Sequence, residues 1–193
     1  MKKKGQVRII GGEWRSRILR FPLTPGLRPS PDFVRETVFN WLQMDIHDSR
    51  VLDLFAGSGA FGFEAASRGA AKVDMVETHP AALKALHANC QMLNAGGTVK
   101  IYGMAADPYL EGCHHQYDLI VLDPPYDSNH LERALFRINK FNLLSQSGLI
   151  YLESGSQKKD LPLGDSWHII REKKCGQVNA FLARAQPHDH ENL

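Results

Sequence analysis

Tyr117-Asp118-Leu119-Ile120-Val121-Leu122-Asp123-Pro124-Pro125-Tyr126 is the stretch on which the reading of this chain turns. Leu119 to Leu122 are continuously apolar and partly β-branched, the pattern of a parallel strand covered on both faces. Pro124 and Pro125 end it, because proline cannot donate to a ladder and Pro125 biases Pro124 towards an extended conformation. The strand thus stops at a rigid ledge that carries a carboxylate, carbonyl oxygens without competing N–H groups, and a flat ring. Such a ledge suits a planar base bearing an exocyclic amine. Asp123 is placed to accept one amine hydrogen and the Pro124 carbonyl another, with Tyr126 stacked on the base. An ordinary Pro-Pro turn is the plainer alternative.

Upstream of the ledge, Val51-Leu52-Asp53-Leu54-Phe55 reads as a strand that opens into Ala56-Gly57-Ser58-Gly59-Ala60-Phe61-Gly62, followed by a helix to about Arg68. Gly57, Gly59 and Gly62 spell G-x-G-x-x-G. Glycines let the turn approach a ligand closely, which serves a dinucleotide pyrophosphate or the methionine part of S-adenosylmethionine equally well. A second strand, Lys72 to Val76, ends in Glu77, and a helix over Pro80 to Asn94 follows. A carboxylate in that place can take both ribose hydroxyls of an adenosine. Val99 to Tyr102 form a third strand. Ala105-Ala106-Asp107 then falls where this kind of fold meets an adenine, and Asp107 reads as an acceptor for the adenine amine or as a helix cap.

Downstream, a helix from about Asn129 to Lys140 precedes a strand over Gly148 to Glu153. Trp167 to Arg171 and Val178 to Ala183 look like an antiparallel pair closing the sheet. Alternating strands and helices imply a doubly wound α/β sheet with its ligand at the carboxyl ends of the strands. The loop after the first strand, Glu77 and Asp123 all fall at that edge.

The net charge of +2 over 193 residues conceals an asymmetry. Residues 1–35 hold nine Lys or Arg against Glu13 and Asp32, so this arm is +7 and the remainder −5. A basic arm on an acidic body points to a polyanionic partner. Val7, Ile9 and Ile10, then Ile18, Leu19 and Phe21, flank Gly11-Gly12, the pattern of a β-hairpin presenting Arg8, Arg15, Arg17 and Arg20 beside an exposed Trp14. Guanidiniums with one aromatic match RNA phosphates and an unstacked base. Prolines punctuate a connector, after which Ser30 or Asp32 can cap a helix from about Phe33 to Met44. On that helix Arg35, like Arg28 before it, reads as free for a ligand.

Cys90, Cys113 and Cys175 are odd in number and widely spaced, which argues for reduced thiols and against a disulfide framework or a zinc knot. No apolar run approaches a membrane span and no signal-peptide core follows Met1 to Lys4, so the expected location is the cytoplasm. The expected division is a basic RNA-binding arm over 1–29, a domain over 30–186 that holds the methyl-acceptor site, and a tail over 187–193 that reads as frayed, adventitious metal binding by His188 and His190 being the alternative; His114 and His115 read as loop residues.

Asp123-Pro124-Pro125-Tyr126 resembles the (Asp/Asn/Ser)-Pro-Pro-(Tyr/Phe/Trp) signature of S-adenosylmethionine-dependent amino methyltransferases. Arg8-Ile9-Ile10-Gly11-Gly12-Glu13-Trp14-Arg15, Leu27-Arg28-Pro29-Ser30 and the run Val34 to Leu42 resemble the N-terminal signature of the RsmD family. Those are bacterial methyltransferases acting on guanine N2 of small-subunit ribosomal RNA. Phe33 departs from the family's usual basic residue. The resemblance spans nearly the whole chain and is most specific in residues 8–42 and 123–126.

It implies a class I S-adenosylmethionine-dependent methyltransferase: a Rossmann-like, doubly wound, mostly parallel seven-stranded sheet with an N-terminal hairpin and helix extension. An acid late in the first strand, here Asp53, is common in that class near the cofactor's methionine end. Implied cofactor contacts are Asp53, Phe55, Ala56, Gly57, Ser58, Gly59, Glu77, Ala106 and Asp107. Implied catalytic residues are Asp123, Pro124, Pro125 and Tyr126, and implied RNA contacts are Arg8, Trp14, Arg15, Arg17, Arg20, Arg28 and Arg35. No metal and no stable protein partner is implied; the partner is 16S ribosomal RNA or the small subunit. Three other readings stay open. A DNA adenine-N6 or protein glutamine methyltransferase uses a similar ledge, although the former usually needs a target-recognition domain for which 193 residues leave no room. A nicotinamide oxidoreductase accounts for the glycines but leaves Asp123 to Tyr126 idle, and a non-catalytic RNA-binding module accounts for the arm alone.

Overall fold

The computed structural model describes residues 4–23, 29–125, 129–154, 161, 163–164, 166–176 and 178–185. Tyr126, Arg28 and the tail over 187–193 lie outside the described residues. Strands β1 (Lys4–Arg8) and β2 (Ile18–Pro22) pair antiparallel as the expected hairpin, with Arg8 opposite Ile18. The remaining strands are β3 (Arg50–Asp53), β4 (Lys72–Glu77), β5 (Val99–Gly103), β6 (Tyr117–Leu122), β7 (Leu144–Ser154), β8 (Trp167–Cys175) and β9 (Val178–Ala185). They form one seven-stranded sheet in the order β5-β4-β3-β6-β7-β9-β8. Its first five members run parallel, and β9 pairs antiparallel with both β7 and β8. The helices are α1 (Asp32–Trp41), α2 (Ala60–Ser67), α3 (Pro80–Met92), α4 (Ala106–Glu111) and α5 (His130–Lys140). Among the described residues no helix is long and apolar enough to cross a membrane.

Successive side chains of a strand point to opposite faces, and the buried residues divide accordingly. Val51, Val73, Met75, Leu119, Val121, Leu149 and Tyr151 join one cluster with Val38 of α1, Phe63 of α2 and Leu86 of α3. Leu52, Val76, Ile120, Leu122, Ile150 and Leu152 join the other with Leu110 of α4 and Leu135 of α5. Both faces are covered, which is why these strands read as unbroken apolar runs.

The hairpin shares the first of these cores. Val7, Ile9, Leu19 and Phe21 are buried in it, so the basic arm packs on the body formed by the sheet and helices. The connection is also longer than a turn at Gly11-Gly12. Residues 9–17 fold back over α2, where the Glu13 N–H donates to the Ser67 carbonyl at 2.7 Å and the Trp14 N–H to Ser67 Oγ at 2.8 Å. Gly12, at φ 76°, lies so close that a Cβ there would meet the Ser67 carbonyl oxygen at 1.8 Å.

One buried carboxylate joins these pieces. Glu64 of α2 is fully buried and accepts the N–H groups of Ile10 and Gly11 at 2.7 and 2.8 Å, Arg68 Nε at 2.8 Å and Arg35 Nη1 at 3.3 Å. Arg35 is equally buried. It also donates to Asp32 Oδ1 at 2.7 Å, to the Arg8 carbonyl at 2.8 Å and to the Ser30 carbonyl at 3.3 Å. This corrects the expectation that Arg35 is free to meet RNA: every edge of its guanidinium is spent inside the fold. The capping expectation also changes. The N-cap of α1 is Pro31 with no side-chain cap bond, and Asp32 pairs with Arg35 while Ser30 turns elsewhere.

Removing one member of a buried, hydrogen-bonded charge cluster leaves the others unpaired in a medium that cannot solvate them. Glu64→Ala is expected to lower the unfolding free energy by about 3–5 kcal/mol in urea denaturation and to make the 9–17 connection sensitive to protease. A loss below about 1 kcal/mol would show the cluster to be as weak as a surface ion pair.

Candidate active site

The connections from β3 and β6, adjacent in the sheet, leave in different directions, to α2 on one face and towards α5 on the other. A crevice opens at such a switch point, beyond the carboxyl ends of the strands. The loop after β3 forms one side of it. Ala56 N–H donates to the Val76 carbonyl at 2.9 Å and Gly59 N–H to the Ala56 carbonyl at 2.7 Å. The tight turn needs left-handed backbone at Gly57 (φ 52°) and at Gly59 (φ 77°), which is the N-cap of α2. Asp123, directly after β6, faces this loop. The cleft is lined by Pro29, Ser30, Asp53, Phe55, Ala56, Gly57, Ser58, Ala60, Phe61 and Asp123.

Several residues expected to act together therefore do meet: Asp53, Phe55, Ala56, Gly57, Ser58 and Asp123. Glu77 reaches the cleft through Gly57, whose N–H it accepts at 2.9 Å on Oε2, while Oε1 accepts the N–H groups of Thr78 and His79, both at 2.7 Å. Oε2 retains capacity for a hydroxyl donor. Pro124 is buried beneath the ledge and Pro125 is exposed beyond it. The His130 ring, at the start of α5, stands 6.0 Å from the Phe55 ring.

Other expectations are corrected. Ala106 and Asp107 open α4, a helix not read from the sequence, and are not among the residues lining the cleft. The Asp107 carboxylate pairs through Oδ2 with Arg133 and with Arg137 of α5, and the helix N-cap is Ala105 and not Asp107. Trp14 is half-buried against the core instead of exposed. Arg15, Arg17 and Arg20 are exposed as expected; the Arg8 side chain is 60% exposed and 3.5 Å from Asp32.

Reading from sequence missed Pro29, Ser30, Ala60 and Phe61 as cleft residues, and Glu153 behind it. The signal for Glu153 was present: like Asp53, Glu77 and Asp123, it is an acid at the carboxyl end of an apolar strand.

Electrostatically the cleft is acidic. Asp53 is buried and accepts the Gly62 N–H at 3.0 Å. Burial is the main cause that lifts its pKa from 3.8 to about 7, the Gly62 bond opposing the rise and Glu77 adding to it. Asp123 is pushed well above the ordinary carboxylate range by burial, then by the charges of Glu153 and Asp53. Burial also raises Glu153, against the lowering effects of Ser30, Tyr151 and Arg35. The cleft thus combines glycine backbone, the rings of Phe55 and Phe61, and the carboxylates of Asp53 and Asp123, with no Lys or Arg among the described residues that line it. That donor set fits a cationic, partly apolar group: the sulfonium and ammonium of S-adenosylmethionine match it, and an anionic pyrophosphate does not.

The doubly wound sheet with its antiparallel β9 and this cleft define a class I methyltransferase fold. Comparison with known proteins agrees. The profile of the family described as "Conserved hypothetical protein 95" matches residues 7–184. "Ribosomal RNA small subunit methyltransferase D" of Escherichia coli K12 is 40% identical over 174 residues, covering 90% of this chain and 87% of the relative. Its Haemophilus influenzae namesake is 40% identical over 184 residues, covering 93% and 94%. The solved structure of the Escherichia coli protein yhhF superposes with a TM-score of 0.84 at 39% identity, covering 94% of this chain and 99% of that one. The chain belongs to this family, the RsmD family that its N-terminal segments resemble.

The raised pKa of Asp53 has a consequence for stability. An acid that holds its proton more tightly when folded contributes stability below its unfolded pKa, and that contribution is lost as pH rises through the folded value. The ligand-free protein is expected to lose stability relative to Asp53→Asn between pH 3.8 and about 7. Asparagine keeps an acceptor for the Gly62 N–H, so the variant should be the more stable by up to a few kcal/mol above that window. Parallel urea titrations across pH check this; curves with a constant separation would mean Asp53 ionises normally.

Proposed function

We propose that this protein transfers a methyl group from S-adenosylmethionine to the exocyclic N2 of a specific guanine in small-subunit (16S) ribosomal RNA. The observation that carries the reading is the meeting of Asp123 and the glycine loop in one cleft at the β3/β6 switch point, an amine-accepting ledge beside a pocket suited to a sulfonium. The names of the relatives support ribosomal RNA of the small subunit as the substrate class. A ribosomal substrate in turn places the protein in the cytoplasm.

The cofactor, when bound, supplies an electrophilic methyl on sulfur. The turn at Gly57 to Gly59 brings backbone close to its methionine end, and Glu77 Oε2 has capacity for a ribose hydroxyl. Guanine N2 is a poor nucleophile because its lone pair is conjugated into the ring. Asp123 and the Pro124 carbonyl, accepting its two hydrogens, favour a pyramidal nitrogen aimed at the methyl carbon. As the N–C bond forms, the C–S bond breaks and sulfur keeps the pair. The nitrogen then sheds a proton to Asp123, whose raised proton affinity suits it to receive one, or to water. Alignment supplies most of the rate.

Tyr126 is assigned the stacking contact with the base by its place in the signature alone. RNA docking falls to Arg8, Arg15, Arg17 and Arg20, exposed on and beside the hairpin, with Arg28 in the connector. An enzyme that reads bases in RNA reaches them in loops, since an A-form helix hides its base edges in a deep, narrow groove. The ledge alone also fits adenine N6; the hairpin and the relatives favour guanine in RNA.

Purified protein with S-adenosylmethionine is expected to add one N2-methylguanosine to small subunits from a strain lacking the enzyme, detected by mass spectrometry of nuclease-digested RNA. Asp123→Ala should lose most of that transfer while keeping cofactor affinity within a few fold. Appearance of N6-methyladenosine instead would move the substrate assignment to adenine. For the arm, neutralising Arg15, Arg17 or Arg20 should weaken RNA binding regardless of sequence and flatten the salt dependence by about one unit of slope each. Unaltered slopes in all three variants would remove the hairpin from the RNA interface.

A further inference from the structure

The cleft has a wall for which the reading above finds no use: Pro29 and Ser30, shortly before α1. Ser30 belongs to no helix or strand. Its Oγ donates instead to Glu153 Oε1 at 2.5 Å, a bond between residues 123 apart in sequence, and Tyr151 OH donates to the same oxygen at 2.7 Å. All of this is inside the protein, Ser30 being 6% and Glu153 4% exposed. Leu122 and Leu152 are paired in register between β6 and β7, so Asp123 and Glu153 follow at adjacent strand ends. One carboxylate therefore holds one wall of the cleft and stands beside the group on the other.

We propose that Glu153 is a positioning residue for methyl transfer, fixing the Pro29–Ser30 wall through the Ser30 hydroxyl and acting by its charge on Asp123. The inference rests on the role given to Asp123 above. Burying a carboxylate is costly, and a neutral acceptor would serve equally well to hold two hydroxyls. The charge itself needs a use, and the group it acts on is Asp123. The groups facing Asp123 are Asp53 from β3 and Glu153 and Tyr151 from β7, while Arg35 of α1 faces Glu153. Both acids raise the affinity of Asp123 for a proton, the property wanted in a group that takes amine hydrogens.

Two substitutions separate charge from tether. Glu153→Gln keeps an acceptor for Ser30 and Tyr151 but removes the charge; Ser30→Ala removes the tether and keeps the charge. The measurement is single-turnover methyl transfer to small subunits from a strain lacking the enzyme, as a function of pH, at saturating cofactor, with cofactor affinity from calorimetry. Glu153→Gln should slow transfer roughly tenfold, with affinity within about twofold. It should also move the acid limb of the profile to lower pH, because loss of a negative neighbour lets Asp123 ionise more readily. Ser30→Ala should slow transfer without moving the limb, and it keeps the test open if Glu153→Gln does not fold. A wild-type rate and profile in either variant overturns the half of the inference it probes. Asp123→Ala is run beside them: if it transfers normally, the role of Asp123 fails and the inference with it. If it is inactive while Glu153→Gln is normal, the inference about charge alone is overturned.

Discussion

A carboxylate with no access to water must be fully matched or it destabilises the fold that buries it, and Glu64 sets that constraint on the N-terminal third of this protein. Its donors come from the hairpin connection, from α1 and from α2 itself. None of these elements has a complete set of hydrogen bonds without the others. Arg35 extends the arrangement by donating to the carbonyls of Arg8 and Ser30, so backbone groups on either side of the connector are fixed by one guanidinium. The planar fork makes this possible; a lysine in that place would have one nitrogen to reach four acceptors.

The carboxyl edge of the parallel sheet follows a second rule. Four neighbouring strands, β4, β3, β6 and β7, carry acids at or next to their carboxyl ends, namely Glu77, Asp53, Asp123 and Glu153. Each then has a different environment. Glu77 is half-buried and held by backbone N–H groups, Asp53 is buried with one such bond, and Glu153 is buried with two hydroxyl donors. Asp123 is left facing the cleft with its neighbours' charges around it. Acidic side chains at the same structural level thus meet quite different surroundings, which is what the proposed methyl transfer asks of one edge that must hold a cation and take up a proton.

The sheet was legible because its strands are apolar runs with hard stops, as at Leu122-Asp123-Pro124, and because G-x-G-x-x-G marks the turn after β3. The site was legible where chemistry is local, at the loop and the ledge. It was illegible where a partner lies far away in sequence. Ser30 looks like a cap until β7 brings Glu153 to it, and nothing near Asp107 in the sequence announces the ion pairs that α5 brings through Arg133 and Arg137. Arg35 was misread for a general reason: arginine is almost never fully buried unless paired, and its pairing partner lies two elements away in Glu64. The docked connection escaped notice because Gly11-Gly12 has the composition of a tight turn, whereas Gly12 is a glycine for want of space against Ser67.

The way residues 9–17 lie on α2 bears on how such proteins can be recombined. The hairpin looks like a portable module, a basic loop that could be exchanged for another to redirect an enzyme to new RNA. Its buried face is part of the host's core, and its peptide groups at Ile10 and Gly11 complete a carboxylate on the host's helix. A transplant that moves the loop alone leaves Glu64 without two of its hydrogen-bond donors. The exchangeable unit is the hairpin together with Arg35, Glu64, Ser67 and Arg68, a patch that is continuous in space and scattered along the chain.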